Sequence, residues 1–300
     1  MSEVPCAAPG RWPVTDTLNL ERQSFLGKDS EIVLDRTRAA LVGLGGGGSH
    51  IAQQLAHIGV GSFLPIDPDC MEDTNLNRLV GGTMEDVKLG TPKVDIAERL
   101  IKAVNPAAEI IKRQASWTEV TAELRDVDVI FACVDSIACR NELEAFARRF
   151  LIPLIDIGMD VHESNDGFSI SGQVMLSLSG RPCMRCMGLV TDEALAKEAA
   201  KYGAAGGRPQ VVWPNGTLAS IAVGVFMRLT TPWEMRKATP LLLEYDGDLQ
   251  TVVPSNKLAY LPAHCKHYDS LHEIGDPFWI PDAVAGRIDI GGWNRSLEER

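Results

Sequence analysis

"RAALVGLGGGGSHIAQQLAHIGVGSFLPID", residues 38–67, decides the fold. An apolar run, Ala39–Val42, reads as a strand and passes through a glycine cluster into a helical pattern. Ile51, Leu55 and Ile58 then recur at the i, i+4, i+7 spacing of one buried helix face. "GSFLPID" follows as a second strand ending on Asp67. Glycine loses more conformational freedom on folding than any other residue, so four in a row beside regular structure imply a close approach to the backbone. Gly43, Gly45 and Gly48 satisfy G-x-G-x-x-G at the strand-to-helix turn, and Asp67 lies 19 residues beyond Gly48. In that context the first glycine permits the turn, the second admits a phosphate to the backbone N–H groups, and the helix N-terminus favours negative charge. Asp67 is placed to take ribose hydroxyls.

The same alternation continues outward. A helix is expected from "TPK", with Thr91 as N-cap and Pro92 at the first helical position, running to Val104. Strand "EIIKRQAS", helix "VTAELRD", strand "VDVIFACV", helix "RNELEAFARRF" and strand "PLIDIG" follow. Such βαβ units predict an α/β fold with a doubly wound, mostly parallel, Rossmann-like sheet. Beyond Gly158 the texture changes: a strand "GQVMLSLSG", a turn at Cys183–Cys186, helices over 189–202 and 215–229, and a hairpin "LLLEYDGDLQTVV" about Asp246 and Gly247. The second helix places Leu218, Ile221, Ala222, Val225 and Leu229 on one side. Between Asp67 and Thr91 no apolar period persists, so something other than packing is expected to hold that segment. We divide the chain into an arm (1–19), a unit over 20–268 with halves of about 36–158 and 159–268, and a tail (269–300) rich in Gly and Trp.

The formal charge of −11 argues against a nucleic-acid groove or an anionic membrane as the main partner, since both attract positive faces. The longest apolar run, residues 218–227, is too short to span a bilayer, and the start lacks the pattern of a signal peptide. A soluble cytoplasmic protein is expected. Seven cysteines, odd in number and unevenly spread, do not form a secreted disulfide framework.

"TNLNRL" supplies Asn75 and Arg78, and Lys93 stands in register with Ala97, Leu100 and Val104, toward the buried side of its helix. A lysine there gains nothing from the helix dipole and is rarely present for packing; a bound polyanion explains both facts. Asp135 ends a strand at the carboxyl edge of the sheet, where it either holds Mg²⁺ against a triphosphate or caps the helix after it. Cys183-x-x-Cys186 has the spacing of half a zinc site, and "PAHCKHY" adds Cys265 with His264 and His267. Cys183, Cys186, Cys265 and His267 make a reasonable zinc set, with His264 as the alternative fourth ligand.

Arg22 and Gln23, the glycine cluster, Asp67 and Asp69 of "IDPD", "TNLNR", Lys93 of "LGTPK", Asp135 of "CVDS" and "CMRC" occur in an order and spacing that resemble the ThiF/MoeB/HesA family over residues 20–230, more weakly to 268. These are bacterial relatives of ubiquitin-activating enzymes. The resemblance implies ATP- and Mg²⁺-dependent adenylation of the C-terminal glycine carboxylate of a ubiquitin-like, β-grasp protein, for conjugation or sulfur transfer. It implies that Gly43, Gly45, Gly46 and Gly48 cradle the nucleotide and that Asp67 holds ribose, with Asp69 beside it. It further implies that Asn75, Arg78 and Lys93 contact phosphates and Asp135 handles the metal. Arg22 matches an arginine delivered into a neighbouring subunit's site, which implies a homodimer. By the same resemblance Zn²⁺ occupies a C-terminal cysteine site.

Two departures stand out. The second C-x-x-C of the family is missing, and "GLVTDEALAKEAAKYGAAGGRPQVVWPNG" contains no cysteine for a thioester. Cys139, the nearest thiol by sequence to the site, reads as an inert small hydrophobe. Arg208 is a candidate to meet a carboxylate or phosphate. Gly47 sits where relatives often carry a larger residue, either as a tolerated cost or to let a partner's glycine tail pass. Three alternatives share parts of the pattern: an NAD-dependent oxidoreductase, an enzyme adenylating a tRNA base, and an inactive scaffold subunit. The last would lack some of Arg22, Arg78, Lys93 or Asp135, and all four are present.

Overall fold

The computed structural model describes residues 18–164, 167–200, 209–233, 239, 241–262 and 265–268. Helix α1 (Ser30–Arg36) precedes strand β1 (Arg38–Val42), helix α2 (Gly46–His57) and strand β2 (Ser62–Ile66). Then come α3 (Met84–Leu89), α4 (Lys93–Val104), β3 (Glu109–Ile110), α5 (Thr121–Leu124), β4 (Val129–Ala132) and α6 (Ile137–Arg149). Strands β5 (Leu154–Ser164) and β6 (Gly167–Ser177), helices α7 (Asp192–Ala200) and α8 (Val212–Thr230), and strands β7 (Leu242–Asp246) and β8 (Thr251–Pro254) complete the order.

All eight strands form one sheet, in the order β3-β2-β1-β4-β5-β6-β7-β8. The first five neighbours pair in parallel, and β6, β7 and β8 extend the sheet antiparallel. Alternation along the strands feeds two cores. Leu41, Phe63, Phe131 and Ile155 face α2, α4 and α8, while Val42, Leu64, Ile130 and Leu154 face α6 and the Cys183–Cys186 turn. None of the described helices is long and apolar enough to cross a membrane.

Several elements differ from expectation. The expected strand "EIIKRQAS" pairs only at Glu109–Ile110, with one isolated bridge from Arg113 to Ile66, because it lies on the sheet edge. "VTAELRD" forms only the four-residue α5 after a short 3₁₀ turn. Helix α4 starts one residue later than expected: Pro92 is its N-cap, Lys93 its first residue, and Thr91 does not cap it. Strand β5 runs past Gly158 to Ser164 and pairs with β6 over eleven residues, so the change of texture marks a change of strand direction. Helix α7 begins at Asp192 rather than 189, and the end of the expected helix lies outside the described residues. In the last hairpin Asp246 faces Thr251, so the connection holds four residues and Asp-Gly is not its two-residue centre. Leu229 is exposed where α8 leaves the core.

The segment after Asp67 is fixed partly by packing after all. Met71, Leu79 and Ile96 form a small core of their own, and α3 opens with a capping box between Thr83 and Asp86. Buried Asp86 receives a two-pronged ion pair from Arg99 at 2.9 and 2.6 Å. The guanidinium holds that carboxyl well below the usual carboxylate range.

Candidate functional site

Strand β1 ends at a corner that only glycine can build. Gly43 has φ +89°, and a side chain there would meet the Cys133 carbonyl oxygen at 2.5 Å. A Cβ on Gly48 would lie 1.9 Å from the Gly43 carbonyl oxygen. Both glycines are therefore required by the protein's own packing. Gly45, the N-cap of α2, differs: a Cβ there meets nothing within 4 Å. Among the described residues no side chain caps α2, so the unpaired N–H groups of its first turn are left for another partner. Gly47, whose role sequence left open, is explained internally. The buried Ile157 side chain from β5 would lie 2.3 Å from a Cβ at that position, and Asn215 from α8 would lie 2.6 Å from one on Gly46. No substrate tail is needed to account for either.

This corner forms one wall of a cavity of about 350 Å³. Gly43, Gly45, Gly46, Asp67, Asp69, Asn75, Arg78, Lys93 and Asp135 all line it, so the structure brings together nine of the residues singled out above. Gly48 contributes behind it as the packing glycine. Asp67 is buried at the end of β2 and accepts the N–H groups of Leu44 at 2.7 Å and Asp69 at 2.9 Å. Burial raises its pKa, with Lys93 opposing. Lys93 is 9 % exposed, and its Nζ lies 2.7 Å from Asp69 and 3.7 Å from Asp67. Two carboxylates on the protein thus face this buried cation, and a bound polyanion is not needed to explain its burial. Asn75 is buried, with Oδ1 accepting the Glu72 N–H, and Arg78 donates to the Thr74 carbonyl at 2.5 Å.

Across the cavity, β4 ends at Ala132, and Asp135 lies in the loop beyond it rather than at the strand's end. The helix that follows is capped by Ser136, whose Oγ accepts the Cys139 N–H at 3.1 Å. Asp135 is therefore not the cap; it is exposed and accepts Gln210 Nε2 at 3.1 Å. Sequence reasoning missed three further residues here. Glu198 of α7 accepts the N–H groups of Ile137 and Ala138 at 3.0 and 2.9 Å, placing a carboxylate on the N-terminus of α6. Arg140 ties the Asp135 loop to β5, donating to the Val134 and Ile157 carbonyls and to Asp156, each at 3.0 Å. Burial pushes the Asp156 carboxyl up to about 6. Two cysteines border the cavity, and burial raises both thiols, Cys139 to about 11, in keeping with an inert role.

Arg22 lies in an exposed 3₁₀ turn and does not line this cavity. Arg208 and His264 lie outside the described residues. Away from the cavity, Cys183, Cys186, Cys265 and His267 bring their ligand atoms within 4.8 Å of one another. Sulfur–sulfur distances of 3.7 Å and sulfur–Nδ1 distances of 3.4 to 3.9 Å match the edges of a tetrahedron of roughly 3.5–3.8 Å around zinc. The turn is anchored to α6: Glu144 accepts the Met184 N–H, and Arg148 donates to the Leu178 and Arg181 carbonyls.

A ThiF family model matches residues 18–266. The molybdopterin-synthase adenylyltransferase of Escherichia coli K12 is 31 % identical over 163 residues, covering 53 % of this chain and 61 % of its own length. The tRNA threonylcarbamoyladenosine dehydratase of Bacillus subtilis 168 is 34 % identical over 133 residues, covering 43 % of this chain and 52 % of its own. The chain thus spans less than two thirds of the length of either relative. Among solved structures, E. coli MccB with succinimide superimposes with a TM-score of 0.65 at 17 % identity, over 81 % of this chain and 72 % of the other. That likeness concerns the fold.

Proposed function

Since the chain belongs to the ThiF family, we propose that it is an ATP-dependent adenylyltransferase that activates the C-terminal glycine carboxylate of a ubiquitin-like, β-grasp protein. One observation carries the reading: the cavity joins an uncapped helix N-terminus beside open Gly45 to the cations Arg78 and Lys93 and to Asp135, a carboxylate free of capping duty. A dinucleotide oxidoreductase would use the glycine corner and Asp67 but has no need of the rest. The name of the E. coli relative adds an adenylyltransferase acting on a protein.

In this reading the α2 N-terminus and Gly45 receive phosphate, Asp67 the ribose, and Arg78, Lys93 and Asn75 the phosphate chain. The substrate carboxylate attacks the α-phosphorus, forming the acyl–phosphate bond while pyrophosphate leaves with the electron pair of the broken P–O bond. No protein base is required, because the carboxylate is already ionised near neutral pH. The protein's contribution is positioning and charge neutralisation. Asp135 fits Mg²⁺, being a hard, exposed carboxylate on the cavity wall; the ion would supply further neutralisation. Cys183, Cys186, Cys265 and His267 would hold Zn²⁺ in a structural role.

We assign Arg22 to a neighbouring subunit's site in a homodimer; its exposed position outside its own cavity supports this. Residues 20–268 act as one adenylation unit, with the nucleotide half at 36–158 and the partner and metal half at 159–268. The raised thiols of half-buried Cys133 and Cys139, together with the clustered thiols of the metal-like site, support hand-over of the acyl adenylate to an external nucleophile, in conjugation or sulfur transfer. Free thiols and ATP chemistry favour a cytoplasmic setting.

ATP–pyrophosphate exchange with candidate β-grasp proteins tests the reading. Exchange is expected with the cognate protein, and Asp135→Ala or Lys93→Ala should each remove it while leaving the chain folded. Nicotinamide binding without exchange would overturn it. The B. subtilis relative keeps a tRNA-directed reading in view, and exchange stimulated by tRNA rather than by a β-grasp protein would select that alternative.

A further inference from the structure

Asn215 carries a polar function to which the reading above gives no role. It is 6 % exposed, lies in the first turn of α8 and lines the cavity. Its Nδ2 donates to the Val211 carbonyl at 2.9 Å, which fixes the amide orientation. Among the described residues Oδ1 has no hydrogen-bond partner. Oδ1 is not among the fully enclosed unpartnered atoms, so it is accessible from the cavity that Asn215 lines, where it is free to accept a donor that a ligand supplies.

Its position narrows the ligand. The amide lies against the first turn of α2, with Oδ1 3.2 Å from a Cβ built on Gly46 and 3.8 Å from one on Gly47. Ile157 of β5 approaches the same turn. Asp67 follows β2, and the strand order β2-β1-β4-β5 sets it on the opposite flank of the α2 N-terminus from β5. Ribose hydroxyls therefore go to the Asp67 flank, and the β5 flank is left for the second substrate.

Ionised phosphates and an ionised carboxylate carry no hydrogen to donate. The nearest donor an acyl substrate brings beside its carboxylate is the N–H of its last peptide unit. We propose that Asn215 Oδ1 accepts this N–H and holds the terminal residue beside the α2 N-terminus. Asn215 then defines the substrate class: a chain ending in a secondary amide before the carboxylate is accepted. A C-terminal proline or a carboxylate lacking the peptide N–H is disfavoured. The inference rests on the adenylation reading above.

The test uses stable adenylate mimics, so that no partner protein is required. N-acetyl-glycyl-glycyl sulfamoyl adenosine is compared, by calorimetry on the full chain, with the ester in which oxygen replaces the last peptide N–H, and with AMP. Wild type should bind the amide roughly tenfold more tightly than the ester, the size expected for one buried hydrogen bond. Asn215→Ala should bring the two within about twofold of each other, and retained AMP binding reports that the variant is folded. The wild-type amide–ester comparison needs no variant. Equal affinity of wild type for amide and ester overturns the assignment of Asn215 and leaves adenylation standing. If neither acyl compound binds more tightly than AMP, the adenylation reading fails and the assignment falls with it.

Discussion

Substituting alanine in turn for Gly45, Gly47 and Gly48 should separate a glycine kept for a ligand from glycines kept for packing. At Gly45 a Cβ meets no atom within 4 Å, so packing leaves room for the methyl group. The stability loss is expected to be smaller than that of Gly48→Ala, because no overlap is created. The methyl would occupy the side from which phosphate approaches, removing on the order of one charge-assisted hydrogen bond, about 1.5–3 kcal/mol, or roughly 10- to 100-fold in ATP affinity. At Gly48 the new Cβ lies 1.9 Å from the Gly43 carbonyl oxygen, an overlap with backbone that cannot rotate away. Overpacking of about 3 kcal/mol or more outweighs the ~1 kcal/mol that alanine gains in a helix. Gly47 should fall between, since the atom at 2.3 Å is the terminal methyl of Ile157. Thermal unfolding and calorimetric ATP titration on the three variants provide the assay. Unchanged ATP affinity in Gly45→Ala, or an unchanged Tm in Gly48→Ala, would refute the division of labour.

Metal analysis of the purified chain should find about one zinc per polypeptide, and Cys186→Ser should lose it with a lowered Tm; a metal-free chain of undiminished stability would rule the site out. The Arg140–Asp156 pair needs an ionised Asp156, so the proposed adenylation should fall as pH drops through about 6, and the falling limb should be absent in Asp156→Asn. Because the folded pKa lies above the unfolded value, the folded state binds the proton more strongly between those values. On this group's account stability rises on acidification, so the activity loss should appear without a parallel fall in Tm; coincident losses would argue for unfolding instead. Brief alkylation of the native chain at pH 8, read by peptide mapping, should modify exposed Cys70 and spare Cys139, whose thiol is pushed up to about 11; rapid labelling of Cys139 would contradict its assigned inertness.

The parallel half was legible because its strands are buried on both faces and its longer helices carry a clean 3.6-residue period, leaving pattern and burial to say the same thing. The antiparallel half was harder. The outer reach of β5 is half-exposed at Met159, Asp160 and Val161 and exposed at His162 and Glu163, so no buried face marks it, and only Asp166-Gly167 in the sequence signals a hairpin. Helix α3 had a readable sign, the Thr83-x-x-Asp86 capping box, overlooked because six residues hold no full amphipathic period. Of the site, the residues with a charge or a conformational demand could be found: Gly43, Asp67, Lys93 and Asp135. Glu198, Asn215 and Arg140 could not, since each depends on which helix end or strand a distant segment meets. The Glu198–Ile137 contact joins residues 61 apart. Gly47 shows the limit most plainly: its reason is the side chain of Ile157, more than a hundred positions away in sequence.

The Cys183–His267 cluster also bears on the order in which the molecule is made. Cys183 and His267 are 84 residues apart, and between them lie α7, α8 and the last two strands. The parallel strands and the glycine corner are complete in the chain long before His267 emerges during synthesis. The four-ligand knot can close only after nearly every described residue has been translated. A product truncated before His267 would thus carry the glycine corner without the complete four-residue cluster beside α6.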